Sequence, residues 1–193
     1  MKLLKPADTG IWARFKNGDS KALTTIYSEN SPKLYRYGLK LTPNHAIVED
    51  AIQDVFSDMI RNRKNLGDTD NIQFYLIKSF KRRLQKQLQK EKRYNLLDND
   101  GKFVFEISYS VEQTIILEET LNQRIFNLYR ALYDLTPHQK EAIYLRFTEG
   151  LEYEEIAELL EMGIESCRNL IYRAVKSLKK SIQENGQYAI GRI

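Results

Sequence analysis

The sequence predicts an all-α protein in which two small helical domains are joined by a flexible linker, and the second domain contains a helix-turn-helix. Proline and glycine are rare, with 4 and 9 among 193 residues, and apolar residues recur at spacings of three and four. We expect a first domain over 8–93, a linker over 94–111 and a second domain over 112–183. The linker is predicted because YNLLDNDGKFVFEISYSVEQ combines Asn, Asp and Gly and lacks a helical period. A short extended piece is expected at 103–107.

The composition is that of a soluble globular chain with a modest positive charge. Hydrophobic residues make up 42% and charged residues 29%, which excludes a disordered class. A net charge of +4 is too small to indicate nucleic acid by itself, so the clustering of basic residues matters more. The single cysteine excludes an internal disulfide and favours a reducing cytoplasm. No apolar run has membrane-spanning length, and MKLLKPADTG lacks a signal-peptide core.

Residues that carry enzymatic chemistry are sparse. His45 and His138 lie far apart in the sequence, and Cys167 falls at the spacing of a core-facing helical position. The chain shows no metal-ligand spacing, nucleophile motif or glycine-rich phosphate loop. We therefore expect no catalytic site, no metal and no cofactor.

In the first domain, a helix or a pair of helices is predicted between Ile11 and Leu41, with Asp19 as an internal N-cap. Thr42-Pro43 predicts the next helix start, because a capping hydroxyl precedes a proline at the first helical position. Six residues of that helix form an apolar stripe at helical spacing: Val48, Ala51, Ile52, Val55, Phe56 and Met59.

Residues 153–180 place an acidic helix, a short turn at Gly163 and a basic helix in that order. One face of the basic helix is apolar and comprises Cys167, Leu170, Ile171, Ala174, Val175 and Leu178. The opposite face carries Ser166, Arg168, Asn169, Tyr172, Arg173 and Lys176. This pattern fits a helix-turn-helix whose second helix enters the major groove, where Arg and Asn recognise guanine and adenine. It also fits a helical hairpin with a solvated basic face, and spacing alone leaves both open.

Five short motifs in the last third of the chain occur together: Leu135-Thr136-Pro137, Tyr144-Leu145-Arg146, Glu149-Gly150-Leu151, Tyr153-Glu154-Glu155-Ile156-Ala157 and Arg173-Ala174. Together they make this stretch resemble region four of the extracytoplasmic-function (ECF) type of bacterial sigma factor. Thr136 and Gln139 also have capping-box spacing, which predicts a helix start there. The resemblance implies that the basic face of the second helix reads the minus-thirty-five promoter element.

The stretch departs from the family pattern in two places. Glu152 stands where the family usually has a capping serine, and residues 165–169 (ESCRN) replace the usual run of a small residue, Thr, Val, Lys and Ser. We expect the fold to tolerate both changes and the promoter sequence to differ.

Residues 46–66 contain the kernel DAIQDVF, residues 50–56, which resembles the polymerase-binding helix of the same family. The resemblance implies core RNA polymerase as a partner, docked through Asp50, Gln53, Asp54, Val55 and Phe56. A solvated acidic face is the better interpretation of this stretch alone, but its occurrence in tandem with region four favours docking.

Turn residues at 65–71 are expected to separate that helix from a basic helix over 72–93. The basic helix carries seven Lys or Arg residues from position 81 onward against Glu91 alone, which suits phosphate contacts. Phe74, Tyr75 and Phe80 fit either a surface for unstacked bases or the core, and the core is favoured for most of them.

The resemblance places binding and melting of the minus-ten element on this basic helix, and implies contacts from Lys78, Lys81, Arg82, Arg83 and Lys86. Arg82 and Lys86 stand where many members carry Asn and Asp, so individual base contacts do not carry over. In the family, the loop that corresponds to residues 66–71 holds a flipped-out base.

The sequence thus predicts an alternative ECF-type sigma factor that binds core RNA polymerase and directs promoter recognition and transcription initiation. We expect a cytoplasmic protein, monomeric when free and weak in binding DNA alone, and the resemblance implies an anti-sigma partner. A free-standing two-domain regulator is disfavoured because the first half shows no alternation of strands and helices. A decoy built on the same fold is disfavoured because the docking kernel and the basic helix are both present.

Overall fold

The structure is a computed structural model that describes residues 6–95, 105 and 128–187. Contacts between Cα atoms divide the chain into two units, residues 1–103 and 104–193. All regular elements within the described ranges are helical, so the all-α prediction is confirmed. The predicted linker, its extended piece and the start of the second predicted domain lie outside the described residues, apart from residues 94, 95 and 105.

The first unit is built from four helices: α1 (Pro6–Lys16), α2 (Ser20–Leu41), α3 (His45–Arg61) and α4 (Ile72–Asn95), with a 3₁₀ turn at Arg63–Asn65. α2 packs against the other three helices, and α3 packs against α4. All six residues of the predicted α3 stripe are buried, which confirms that interpretation. The core also contains large aromatic side chains that are almost fully buried, among them Trp12, Tyr37 and Phe80.

The helix starts in this unit are set by short polar side chains. The Asp19 carboxylate accepts hydrogen bonds from the backbone N–H groups of Lys21 and Ala22, as predicted. The hydrogen bond from Arg14 and the backbone N–H of Ala22 hold the pKa of Asp19 below its ordinary value. The predicted start at Thr42-Pro43 was wrong. Asn44 is the N-cap of α3, and Thr42 instead ends α2.

The Thr42 hydroxyl explains this difference because it accepts a hydrogen bond from the N–H of Asn44. The Asn44 side chain then accepts from the N–H of Ile47, at 3.3 Å. Asn is at least as good an N-cap as Thr, so the hydroxyl organises the turn and the amide begins the helix.

The loop between α3 and α4 is tied to α1. The indole N–H of Trp12 donates to the carbonyl of Gly67 at 2.9 Å, and Lys16 pairs with Asp68 at 2.7 Å. The Asp8 carboxylate accepts from the N–H of Ile72 at 3.3 Å, which satisfies one free donor at the start of α4. The predicted break in helix is confirmed, and α1 holds this loop in place beside α4.

α2 approaches its neighbours most closely at Gly38. A Cβ atom added there would lie 2.7 Å from Cγ1 of Val48 and 2.8 Å from Cζ of Phe80. We expect Gly38→Ala to lower the free energy of unfolding, because overpacking of about 1–3 kcal/mol outweighs the gain in helix propensity of about 1 kcal/mol. Urea denaturation measures the difference.

Gly10→Ala is the matched control, because Gly10 also lies in a helix and nothing stands within 4 Å of its added Cβ. This variant should gain about 0.5–1 kcal/mol. Equal stability of the two variants would show that the contact at Gly38 relaxes without cost.

The second unit contains α5, whose described part covers 128–133, then α6 (Pro137–Ile143), a π-helical turn (Tyr144–Thr148), α7 (Tyr153–Leu159) and α8 (Ile164–Gln187). α6 and α7 both pack against α8. The predicted capping box is present, since Gln139 and Thr136 exchange side-chain and backbone hydrogen bonds. α7, the turn at 160–163 and α8 form the predicted helix-turn-helix.

Phe105 belongs to the second unit although it lies within the predicted linker. Its side chain is 1% exposed, and its ring centroid lies 5.6 Å from that of Tyr144. The chain is therefore anchored to this unit at Phe105, which linker composition alone did not indicate.

Candidate nucleic-acid and partner-protein interfaces

α3 presents the predicted docking residues in two different environments. Asp50, Gln53 and Asp54 are exposed, whereas Val55 and Phe56 are 5% and 4% exposed. Val55 and Phe56 belong to the apolar stripe, so a role in direct contact does not fit them. They position the outward face of α3 by packing in the core.

A groove of about 370 Å³ lies between α2 and α3 beside this outward face. α2 contributes Tyr27, Ser31, Pro32 and Tyr35, and α3 contributes Glu49, Ile52 and Gln53. Tyr27 is 47% exposed and meets the Phe56 ring edge-on, with centroids 4.8 Å apart. Sequence reasoning missed the α2 wall, although residues 27, 31 and 35 follow the four-residue spacing of one helical face.

Three of the five predicted minus-ten residues of α4 border a second groove of about 410 Å³, and Lys78 and Lys81 do not line it. Arg82, Arg83 and Lys86 line one side of it, and Leu66 and Tyr75 contribute apolar and aromatic surface. Arg82 and Lys86 are exposed, and the other predicted minus-ten residues, Lys78, Lys81 and Arg83, are partly buried. The groove thus combines cations with a flat ring.

Arg83 is held by α3. Its guanidinium pairs with the carboxylate of Asp58 and lies 3.7 Å from Asp54. The Gln87 amide also donates to Asp54, at 3.1 Å. Because carboxylates offset its charge, Arg83 contributes less to the positive field of the groove than Arg82 and Lys86. Asp54, predicted to face the polymerase, is at the same time bonded to the basic helix.

The helix-turn-helix leaves all six predicted residues of α8 exposed: Ser166, Arg168, Asn169, Tyr172, Arg173 and Lys176. Cys167, Ile171 and Ala174 are buried on the opposite face. Arg168 is bonded to Glu165 at 2.7 Å and to Glu154 of α7 at 3.4 Å. Glu154 on the acidic helix α7 therefore bonds directly to the basic helix α8.

Burial raises the pKa of the Cys167 thiol, and the nearby Glu154 carboxylate raises it further. We expect the native thiol to react slowly with a disulfide reagent at neutral pH, because little thiolate forms and the side chain is buried. The rate should rise with pH through a pKa above the ordinary thiol value. Because this is the chain's one cysteine, a single absorbance trace measures it, and reaction as fast as in denaturant would contradict the expectation.

No group of three or more His, Cys, Asp or Glu within the described ranges is placed to hold a metal ion. A search of the same residues also finds no helix with the length and apolarity needed to cross a membrane.

Fold and surface define a helical protein of two units, with an acidic face and two grooves in the first and a helix-turn-helix in the second. Residues 26–94 match the family model described as Sigma-70 region 2, and residues 125–178 match Sigma-70, region 4. The two matches cover more than half of the chain, in the predicted order. The chain belongs to the ECF-type sigma factors of the sigma-70 family.

Named sigma factors and a solved structure are similar along most of the chain. The ECF RNA polymerase sigma factor BldN of Streptomyces coelicolor is 24% identical, over 90% of this chain and 65% of its own length. RNA polymerase sigma factor SigV of Bacillus subtilis is 24% identical, over 85% and 93%. The sigma factor RpoE of Bartonella quintana, solved in complex with the anti-sigma factor NepR, shares the fold with a TM-score of 0.56. That similarity covers 85% of this chain and 96% of the other at 22% identity.

Proposed function

We propose that this chain binds core RNA polymerase through α3, directs it to promoters and helps to open them, with no catalytic activity of its own. It acts in the cytoplasm and is a monomer when free. One observation carries the proposal: three surfaces occur in the same chain. They are the exposed acidic face of α3, the basic groove of α4 beside the loop that is bonded to α1, and the exposed basic face of the helix-turn-helix. Each feature is common alone, but recruitment and promoter reading require all three.

Docking is assigned to Asp50, Gln53 and Asp54 together with the groove between α2 and α3. The exposed part of Tyr27 gives this surface an aromatic contact, and aromatic residues are enriched at protein interfaces. The buried side chains of Val55 and Phe56 fix the direction of the acidic residues. We assign them a positioning role in place of the direct contact that the sequence predicted.

The minus-ten element is assigned to the groove beside α4. Arg82 and Lys86 supply exposed cations for phosphates, and Arg83 supplies a partly buried one. Lys78 and Lys81 belong to the same helix but do not line the groove, so any phosphate contact of theirs lies beside it. Tyr75 provides a flat surface near the loop at Leu66, which suits an unstacked base. The contacts of α1 with Gly67 and Asp68 hold this loop ready before DNA arrives.

The minus-thirty-five element is assigned to the exposed face of α8, which enters the major groove. Arg168, Asn169 and Arg173 carry the side chains best suited to base edges. Ser166, Tyr172 and Lys176 complete the surface, with Lys176 suited to a phosphate.

An anti-sigma protein is the further partner we propose. The related structure from Bartonella quintana is a complex of a sigma factor with an anti-sigma factor. In this chain such a partner would act by covering the docking groove or the exposed face of α8. Because initiation needs both surfaces, covering one of them is enough to prevent it.

Run-off transcription with the purified chain, matched core polymerase and a genomic promoter library tests the proposal. Discrete transcripts that require the chain are expected, and their start sites report both promoter elements. Comigration with polymerase without transcripts would support a decoy. Specific DNA binding without comigration would support a free-standing regulator.

A further inference from the structure

Arg168 is held between two carboxylates from different helices. Its Nη1 donates to Oε1 of Glu165 at 2.7 Å, and its Nη2 donates to Oε1 of Glu154 at 3.4 Å. The guanidinium carbon also lies 5.8 Å from the centroid of the Tyr153 ring. The planar fork is therefore oriented by α7, and its direction is set before DNA binds.

Tyr153 is itself anchored. The guanidinium of Arg146 lies 4.8 Å from the same ring. Arg146 donates to the carbonyl of Leu151 at 2.6 Å and pairs with Glu152 at 3.0 Å. The support of Arg168 thus extends from α7 into the loop that precedes it. An arginine ordered in this way loses less conformational entropy on binding, which distinguishes it from an isolated surface ion pair.

Glu165 is the unusual member of the cluster. It lies in the first turn of α8, where a recognition helix contacts base edges, and its side chain is 79% exposed. A carboxylate accepts hydrogen bonds only, so it is repelled by phosphates and by the acceptors of guanine and thymine. Cytosine N4 and adenine N6 are the major-groove donors that it can use.

We propose that Glu165 and Arg168 act as one unit that reads a G·C pair in the minus-thirty-five element, with Arg168 on guanine and Glu165 on cytosine. Arg is suited to guanine O6 and N7. Cytosine N4 is hydrogen-bonded to that same O6, at about 2.9 Å, so an acceptor and a donor lie side by side on the pair. The donor Nη1 of Arg168 and the acceptor Oε1 of Glu165 lie 2.7 Å apart, which matches the separation of guanine O6 and cytosine N4. The inference rests on the proposed entry of α8 into the major groove.

The test is promoter selection by the complete holoenzyme on a library randomised across the minus-thirty-five element. The wild-type chain should select one G·C pair in a fixed orientation. Glu165→Ala should reduce discrimination against the other base pairs at that position by about five-fold or more. Glu165→Gln should shift the preference toward adenine, because an amide can bond to both N6 and N7. Unchanged base preference in both variants would overturn the proposal.

Glu154→Gln separates base reading from simple support. It removes the charge of the other carboxylate on Arg168 and leaves the residues of α8 unchanged. If Glu154→Gln and Glu165→Ala lower the melting temperature alike and neither alters base preference, Glu165 is only structural and the proposal fails. A change of preference confined to one base pair in the Glu165 variants supports it.

Arg173→Ala and the wild-type chain together separate the two kinds of failure. If the wild-type holoenzyme selects no promoter, the proposed function fails. If it selects promoters but neither Arg173→Ala nor the Glu165 variants alter the base preference, the Glu165–Arg168 unit is wrong and base reading by α8 is left to Asn169. If Arg173→Ala alters selection while the Glu165 variants do not, only the Glu165–Arg168 unit is wrong.

Discussion

Asp50→Lys combined with Gln53→Ala is expected to reduce polymerase-dependent transcription by about 30-fold or more, the effect typical of losing an interface hot spot. Both residues are exposed on the outward face of α3, and Gln53 also lines the groove shared with α2. The lysine reverses the charge that this face presents to its partner, and the alanine removes a polar contact. Copurification with core polymerase and run-off transcription measure the loss.

Glu29→Lys is the matched control, since it makes the same kind of charge reversal at an exposed position of the same unit and lies outside the docking groove. Its transcription should stay within about two-fold of wild type, because scattered surface charges contribute little. All variants should share the wild-type melting temperature, which shows that the fold is intact. Full activity of the double variant would remove α3 from the interface.

Asp54 is a poor choice for that test, although the sequence favours it as much as Gln53. Its bonds to Arg83 and Gln87 mean that a substitution would disturb α4 as well as the docking face. A transcription defect would then have two explanations. The helical pattern showed that Asp54 points outward, but it could not show which side chains of α4 lie beside it.

The spacing of apolar residues in the sequence was sufficient to predict which face of a helix is buried. The α3 stripe was predicted correctly because it follows the 3.6-residue repeat. On the apolar face of α8 the same repeat predicted the buried residues Cys167, Ile171 and Ala174, whereas Leu170, Val175 and Leu178 are only partly buried. The capping box at Thr136 was equally local, since its two partners are three residues apart. The start of α3 was mispredicted because Thr42-Pro43 and Asn44 offer competing caps, and the bonds made in three dimensions decide between them.

Contacts between distant residues could not be predicted in this way. The tie from Trp12 to Gly67 joins residues 55 positions apart, and nothing in either local pattern indicates it. The anchoring of Phe105 on Tyr144 is of the same kind. At the candidate site, exposure of the α8 face and the (i,i+3) spacing of Glu165 and Arg168 are local features, whereas the bond of Arg168 to Glu154 depends on the crossing of α7 and α8.

Arg173→Ala is expected to lower transcription from the chain's own promoters by about 5- to 150-fold, which corresponds to about 1–3 kcal/mol for the loss of a bidentate base contact. Arg173 is exposed on α8, one turn beyond Asn169, where a helix lying in the major groove still faces the bases. Polymerase binding should be unaffected, because the docking face belongs to the first unit. Run-off transcription measures the loss of promoter use, and copurification with core polymerase shows that polymerase binding is unchanged.

Arg173→Lys distinguishes base reading from phosphate binding. Lysine keeps the charge but lacks the planar fork that matches guanine, so a base-reading arginine should lose most of its effect in both variants. A phosphate contact would tolerate lysine and would weaken all promoters alike. Arg130→Ala, an exposed arginine of α5, is the matched control and should transcribe normally. If Arg173→Lys is fully active on every promoter, Arg173 binds the backbone, and sequence reading by α8 depends on Asn169 together with the Glu165–Arg168 unit.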